Sequence, residues 1–200
     1  MPRLSRSALR SVSLSLPLLL VAAAAQAHTG AGPMGGFVSG FTHPIFGWDH
    51  VVAMVAVGLW AALLGRPAIW VLPLVFPLLM AVGAAMGIAG LPVPAVETGI
   101  ALSGVVLGLA VVLALRAPLW AAGAVVGVFA IFHGHAHGTE LPQNASALTY
   151  GLGFLVGTLL LHLGGIALGL LATRPLGQIA VRAAGGVIAL VGGAFLAGIA

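Results

Sequence analysis

The sequence predicts an all-α protein, a polytopic membrane helix bundle, on three observations. Hydrophobic residues make up 61% of its 200 positions and charged residues only 5%, with a mean hydropathy of +1.21. A soluble domain carries about 25% charged residues, so this chain has too little polar surface to cover a core in water. Apolar stretches long enough to cross a bilayer, about 20 residues each, recur along the chain. Short connections carrying Gly, Pro and Arg separate them. Lipid offers no hydrogen-bond partners, so a run of that length satisfies its backbone internally, as a helix.

Residues 1–27 read as a signal peptide. Arg3, Arg6 and Arg10 form a basic start, residues 14–24 an apolar stretch, and Ala25-Gln26-Ala27 a small-residue cleavage site. Cleavage there makes His28 the new N-terminus, whose α-amine and imidazole together suit metal capture. Residues 28–200 are then expected to form a single six-helix transmembrane domain. Its spans fall near 45–65, 68–90, 94–116, 118–137, 147–173 and 178–199. Gly65-Arg66-Pro67, Gly90-Leu91-Pro92, Arg116-Ala117-Pro118 and Arg174-Pro175 punctuate them as turns. Pro73 and Pro77 suggest a kink in the second span. GxxxG pairs at Gly83/Gly87, Gly104/Gly108, Gly123/Gly127, Gly153/Gly157 and Gly165/Gly169 permit close helix approach. Packing within the bundle is the expected use; a homo-oligomer interface is the alternative.

Arginine placement orients the bundle. Arg66, Arg116 and Arg174 occupy the first, third and fifth connections, with Arg182 close behind, and the second and fourth have no basic residue. Cytoplasmic loops collect Lys and Arg. These three connections are therefore expected in the cytoplasm, with both termini on the opposite, periplasmic side. Composition also excludes function classes. There is no lysine and no basic patch, so no nucleic-acid partner is expected. Cysteine is absent, which removes disulfides and thiolate metal sites. No GxxxxGK[ST] loop is present for a nucleotide.

The polar residues fall in two clusters. The first runs His43-Pro44-Ile45-Phe46-Gly47-Trp48-Asp49-His50, with Met54 after it. Pro44 suits a first helical turn, so His43 is expected near an N-cap. His50 and Met54, four apart, share a face. Asp49 can ligate a cation directly or accept a hydrogen bond from a ligating imidazole; no basic residue nearby in sequence neutralises it. The second cluster is His133-Gly134-His135-Ala136-His137-Gly138-Thr139-Glu140. His133 and His137 are spaced to hold one ion from one helix face. His135 points elsewhere in a regular helix, where it is expected to serve a second ion position, or to join the first if the helix unwinds at Gly134 or Gly138, and Glu140 can join the face of His137. Glu97 opens the third span, where it can ligate or simply complement a helix N-terminus. His162 lies deep in the fifth span, as a backbone-bonded histidine or a relay below the outer groups. Ionisable side chains in a membrane are costly and usually mark an ion or substrate path. Imidazole, carboxylate and thioether suit borderline transition metals.

These residues carry a family resemblance. His43-Pro44-x-x-Gly47-x-Asp49-His50-x-x-x-Met54 resembles the first signature of the HupE/UreJ family, and Phe132-His133-Gly134-His135-Ala136-His137-Gly138-x-Glu140 its second. The resemblance implies an accessory membrane permease of hydrogenase or urease systems, in the bacterial inner membrane, importing nickel or cobalt. The metal is then cargo, and no prosthetic group is implied. Composition and spacing alone imply a transition-metal site open to the outside. They leave room for an intramembrane zinc hydrolase, or for a sensor or chaperone that binds without transport.

Overall fold

Gly47 sets the geometry of the first span. The structure, a computed structural model, describes residues 36–141 and 146–199. The signal peptide, its cleavage site and His28 lie outside them. Helix α1 (Gly36–Phe46) and α2 (Trp48–Leu64) meet at Gly47 with a 76° bend. Gly47 is extended there, with φ −80° and ψ 107°. Pro44, one turn earlier, has no N–H to give the Gly40 carbonyl, which weakens the α1 ladder just before the break. His43 therefore sits in the last turn of α1 rather than at an N-cap. The separate helix α1 is the element that hydropathy did not reveal.

The remaining helices follow the expected order: α3 (Ala68–Ile88), α4 (Val96–Val112), α5 (Leu119–Thr139), α6 (Ala147–Gly169) and α7 (Pro175–Leu196), with a 3-10 turn at Leu170–Thr173 before α7. Among the described residues there is no strand, and α3 runs unbroken through Pro73 and Pro77. Four helices (α3, α5, α6 and α7) are long and apolar enough to cross a membrane, and the bent α1–α2 pair makes a fifth. Helix α4 is apolar but has only 17 residues, about 25 Å at 1.5 Å per residue, against a hydrocarbon core of about 30 Å.

Small residues decide which helices pair. Gly83 and Gly87 of α3 lie against the Ile131 and His135 carbonyls of α5, while Gly134 and Gly138 of α5 lie against the Met80 and Ala84 carbonyls. A side chain at any of these four would meet backbone. The glycines between the α5 histidines thus serve packing, and α5 stays helical through them. Gly104 and Gly108 bring α4 onto α7; Gly153 and Gly157 bring α6 onto α1; Gly165 and Gly169 bring α6 onto α2. Only Gly123, of the GxxxG residues, faces open space. Helix α2 is the central one. His50 and nearly every residue from Val52 to Ala61 are buried, as expected of a helix apolar all round.

Two contacts define the ends of the bundle. Trp60 Nε1 donates to the Leu115 carbonyl at 2.9 Å, and Gly169 packs on Leu59 and Ala62. The connections bearing Arg66, Arg116 and Arg174 therefore share one end, and all three arginines are exposed. The start of α2 and the end of α5 lie at the other.

Candidate metal centre

Three helices deliver imidazoles to one point at that second end. His43 comes from the last turn of α1, His50 from the first turn of α2 and His137 from the last turn of α5. Their ligand atoms all lie within 4.8 Å of one another. The bend at Gly47 matters here: it turns His43 back toward His50, with ring centroids 5.3 Å apart. His137 stands 4.7 Å from His43 and 4.6 Å from His50 by the same measure. Phe154 of α6 walls the cluster, its ring 4.3 Å from that of His137. Tyr150, one turn earlier on α6, lies 6.4 Å from His43.

The closest approach is between His50 Nε2 and His137 Nε2, at 2.7 Å. Two imidazole nitrogens at that distance hold one proton between them. On the other side of His50, Asp49 Oδ1 is 2.8 Å from Nδ1, off the axis of an in-line N–H bond. The carboxylate favours a proton on Nδ1, which leaves the Nε2 lone pair for an ion; this is how carboxylates support ligating histidines. Asp49 also sits in the first turn of α2, where the helix dipole favours negative charge. The proton between His50 and His137 must leave that position before a cation can occupy it. A shift of that proton to the other ring nitrogen of His137 frees the position, and only neutral imidazoles can then hold a cation there.

His133 extends the cluster inward, one turn before His137 on the same face, with its ring 5.0 Å from His50. Ser103 Oγ donates to the Ile100 carbonyl at 2.5 Å. That uses its one proton, so His133 Nε2 must donate to Ser103 Oγ across their 3.0 Å contact. His133 Nδ1 then carries the lone pair, and this buried atom has no hydrogen-bond partner among the described residues. Ser103 was not singled out from sequence, although a lone serine within an apolar span was a usable signal.

The other candidates separate clearly. His135 faces away and its Nε2 donates to the Leu91 carbonyl at 2.7 Å, tying α5 to the α3–α4 connection. Glu97 and Glu140 are exposed and outside the histidine group; Glu97 lies in the first turn of α4. Met54 is fully buried one turn below His50. His162 is also fully buried, deeper in the bundle. Access falls along the path: the Asp49 side chain is 24% exposed and that of His50 7%, and His133 is fully enclosed.

Lipid-facing helices around a buried group of metal-ligating side chains define the class, a polytopic helical membrane protein whose core can hold a metal ion. Residues 16–195 match the family described as HupE / UreJ protein. The chain is also 44% identical over 187 residues to Protein HupE of Rhizobium leguminosarum bv. viciae, covering 94% of this chain and 97% of that one. It belongs to the HupE/UreJ family. Members of that family are permease-type accessory proteins and not enzymes, which sets aside the zinc-hydrolase alternative. The family's role is accessory nickel or cobalt transport for hydrogenase or urease. No solved structure matches the fold.

Proposed function

We propose that this chain is an inner-membrane permease that imports Ni²⁺, with Co²⁺ as the close competitor, for maturation of hydrogenase or urease. The observation that carries this is the convergence of His43, His50 and His137 from three helices. The cluster lies at the end opposite Arg66, Arg116 and Arg174. With those arginines cytoplasmic, it faces the periplasm, the bundle has six spans with both termini periplasmic, and flux runs inward. His43, His50 and His137 capture the ion; Asp49 orients His50; His133 receives the ion next, through Nδ1. Imidazole donors favour nickel, cobalt, copper and zinc over magnesium or calcium. The sequence carries no nucleotide loop, which favours facilitated diffusion or ion coupling over ATP drive unless a partner supplies it.

Radioactive nickel uptake into proteoliposomes tests this. The wild-type chain is expected to accumulate nickel and His50→Ala to abolish it. Tight binding with no flux in the wild type would mean a sensor or chaperone instead.

A further inference from the structure

His162 is an imidazole with nothing to do in the bundle. It is 0% exposed, and neither Nδ1 nor Nε2 has a hydrogen-bond partner among the described residues. A neutral imidazole has both a donor and an acceptor to satisfy, and leaving them buried and unmet is costly. One turn earlier on the same face of α6, Thr158 is also 0% exposed, with its Oγ1 equally unpartnered. Two orphaned polar groups on one helix face, deep in an apolar bundle, call for an occupant.

Their position places that occupant on the ion's route. Gly58 of α2 lies against the His162 backbone carbonyl. Along α2, His50, Met54 and Gly58 recur every four residues on one face, and Gly58 lies about 12 Å below His50 at 1.5 Å per residue; Gly165, three residues after His162, packs on Val55 and Gly58, so His162 sits between those two levels. Helices α2 and α6 both run from the histidine end toward the arginine end. Side chains tilt toward their helix N-terminus, so His162 leans back toward the outer cluster. Phe76 of α3, fully buried, touches both levels, its ring 5.7 Å from that of His133 and 5.3 Å from that of His162. An aromatic ring packed on both imidazoles keeps them from sharing one ion, since metal–nitrogen bonds are only about 2 Å long.

We propose that His162, with Thr158, forms a second, internal binding position for a divalent transition-metal ion, partitioned from the outer imidazoles by the Phe76 ring. This rests on the permease reading above. The ion steps from His133 past Phe76 to a nitrogen of His162, with the Thr158 hydroxyl oxygen and retained water completing its shell. Met54, on the α2 face that joins the two levels, adds a thioether to the same stretch.

The test combines stability, binding and flux on the full chain in bilayers. His162→Leu and Thr158→Val remove orphaned polar atoms. Both are expected to leave thermal stability unchanged or raised, to leave cobalt binding at the outer cluster intact, and to reduce nickel flux. The reduction is at least about tenfold for His162→Leu and smaller for Thr158→Val. His162→Cys, which restores a metal ligand, is expected to recover flux. Wild-type flux in His162→Leu would overturn the proposal. So would equal loss in His162→Leu and His162→Cys, which means packing. Loss of sensitivity to an imposed pH gradient, with metal flux retained, would overturn it too and assign His162 to protons. Two controls run alongside separate this from the permease reading: no flux in the wild type refutes that reading itself, and wild-type flux in His50→Ala refutes the outer cluster, whatever His162 does.

Discussion

His133 and His137 differ from His135 only in which side of α5 they occupy. The first two face α2, where their rings stand 5.0 and 4.6 Å from that of His50. His135 faces the α3–α4 connection and spends its Nε2 proton on the Leu91 carbonyl. One side of the helix thus keeps nitrogens available for an ion, while the other uses the same side chain as a structural tie. A histidine-rich segment is not a single ligand set. Helical azimuth divides it, because residues four apart share a face and residues two apart do not.

That division can be broken experimentally, and the largest effect belongs to the α2-facing side. His137→Ala and His50→Ala each remove a direct ligand. Nickel uptake in either is expected to fall by more than the about 10- to 100-fold that a supporting residue costs. Residual uptake near wild type in either variant would remove α5 or α2 from the site. Asp49→Asn comes next. It keeps the shape but removes the charge that holds the His50 proton on Nδ1, and apparent nickel affinity is expected to weaken about 10- to 100-fold. Equilibrium binding to the protein in lipid nanodiscs measures this.

A pH series has a smaller but diagnostic effect. Only neutral imidazole coordinates metal, so protons compete with the ion. Uptake is expected to fall as the external medium is made more acidic, and uptake that rises on acidification would count against histidine ligation. The smallest effect is on the other side of α5. His135→Ala is expected to keep uptake within about twofold of wild type while lowering thermal stability by about 1 kcal/mol, the net worth of one hydrogen bond. A collapse of uptake in a folded His135→Ala would erase the distinction between the two sides.

Much of this architecture is legible in the sequence. Apolar length and Gly/Pro punctuation locate α3 through α7 to within a few residues, because each signal is local. The four-residue spacing of His133 and His137 likewise announces a shared face. What sequence spacing hides is the consequence of a bend. His43 and His50 are seven apart, and their meeting depends on the 76° break at Gly47. Hydropathy cannot see that break, since α1 and α2 are both apolar. Contacts across the bundle are hidden for another reason. The Leu91 carbonyl that holds His135 and the Ser103 hydroxyl beside His133 come from distant segments brought near by glycine packing. The glycines of the second motif suggest unwinding when read locally, whereas in the bundle they are where the α3 backbone fits.

The most direct measurement is the nickel K-edge absorption spectrum of the loaded protein in a bilayer, which counts imidazoles around the ion. The wild-type spectrum is expected to show the three imidazoles of His43, His50 and His137. His137→Ala should lose one of them and His135→Ala none. An oxygen-only shell, or a shell that loses an imidazole in His135→Ala but not in His137→Ala, would contradict the site described above.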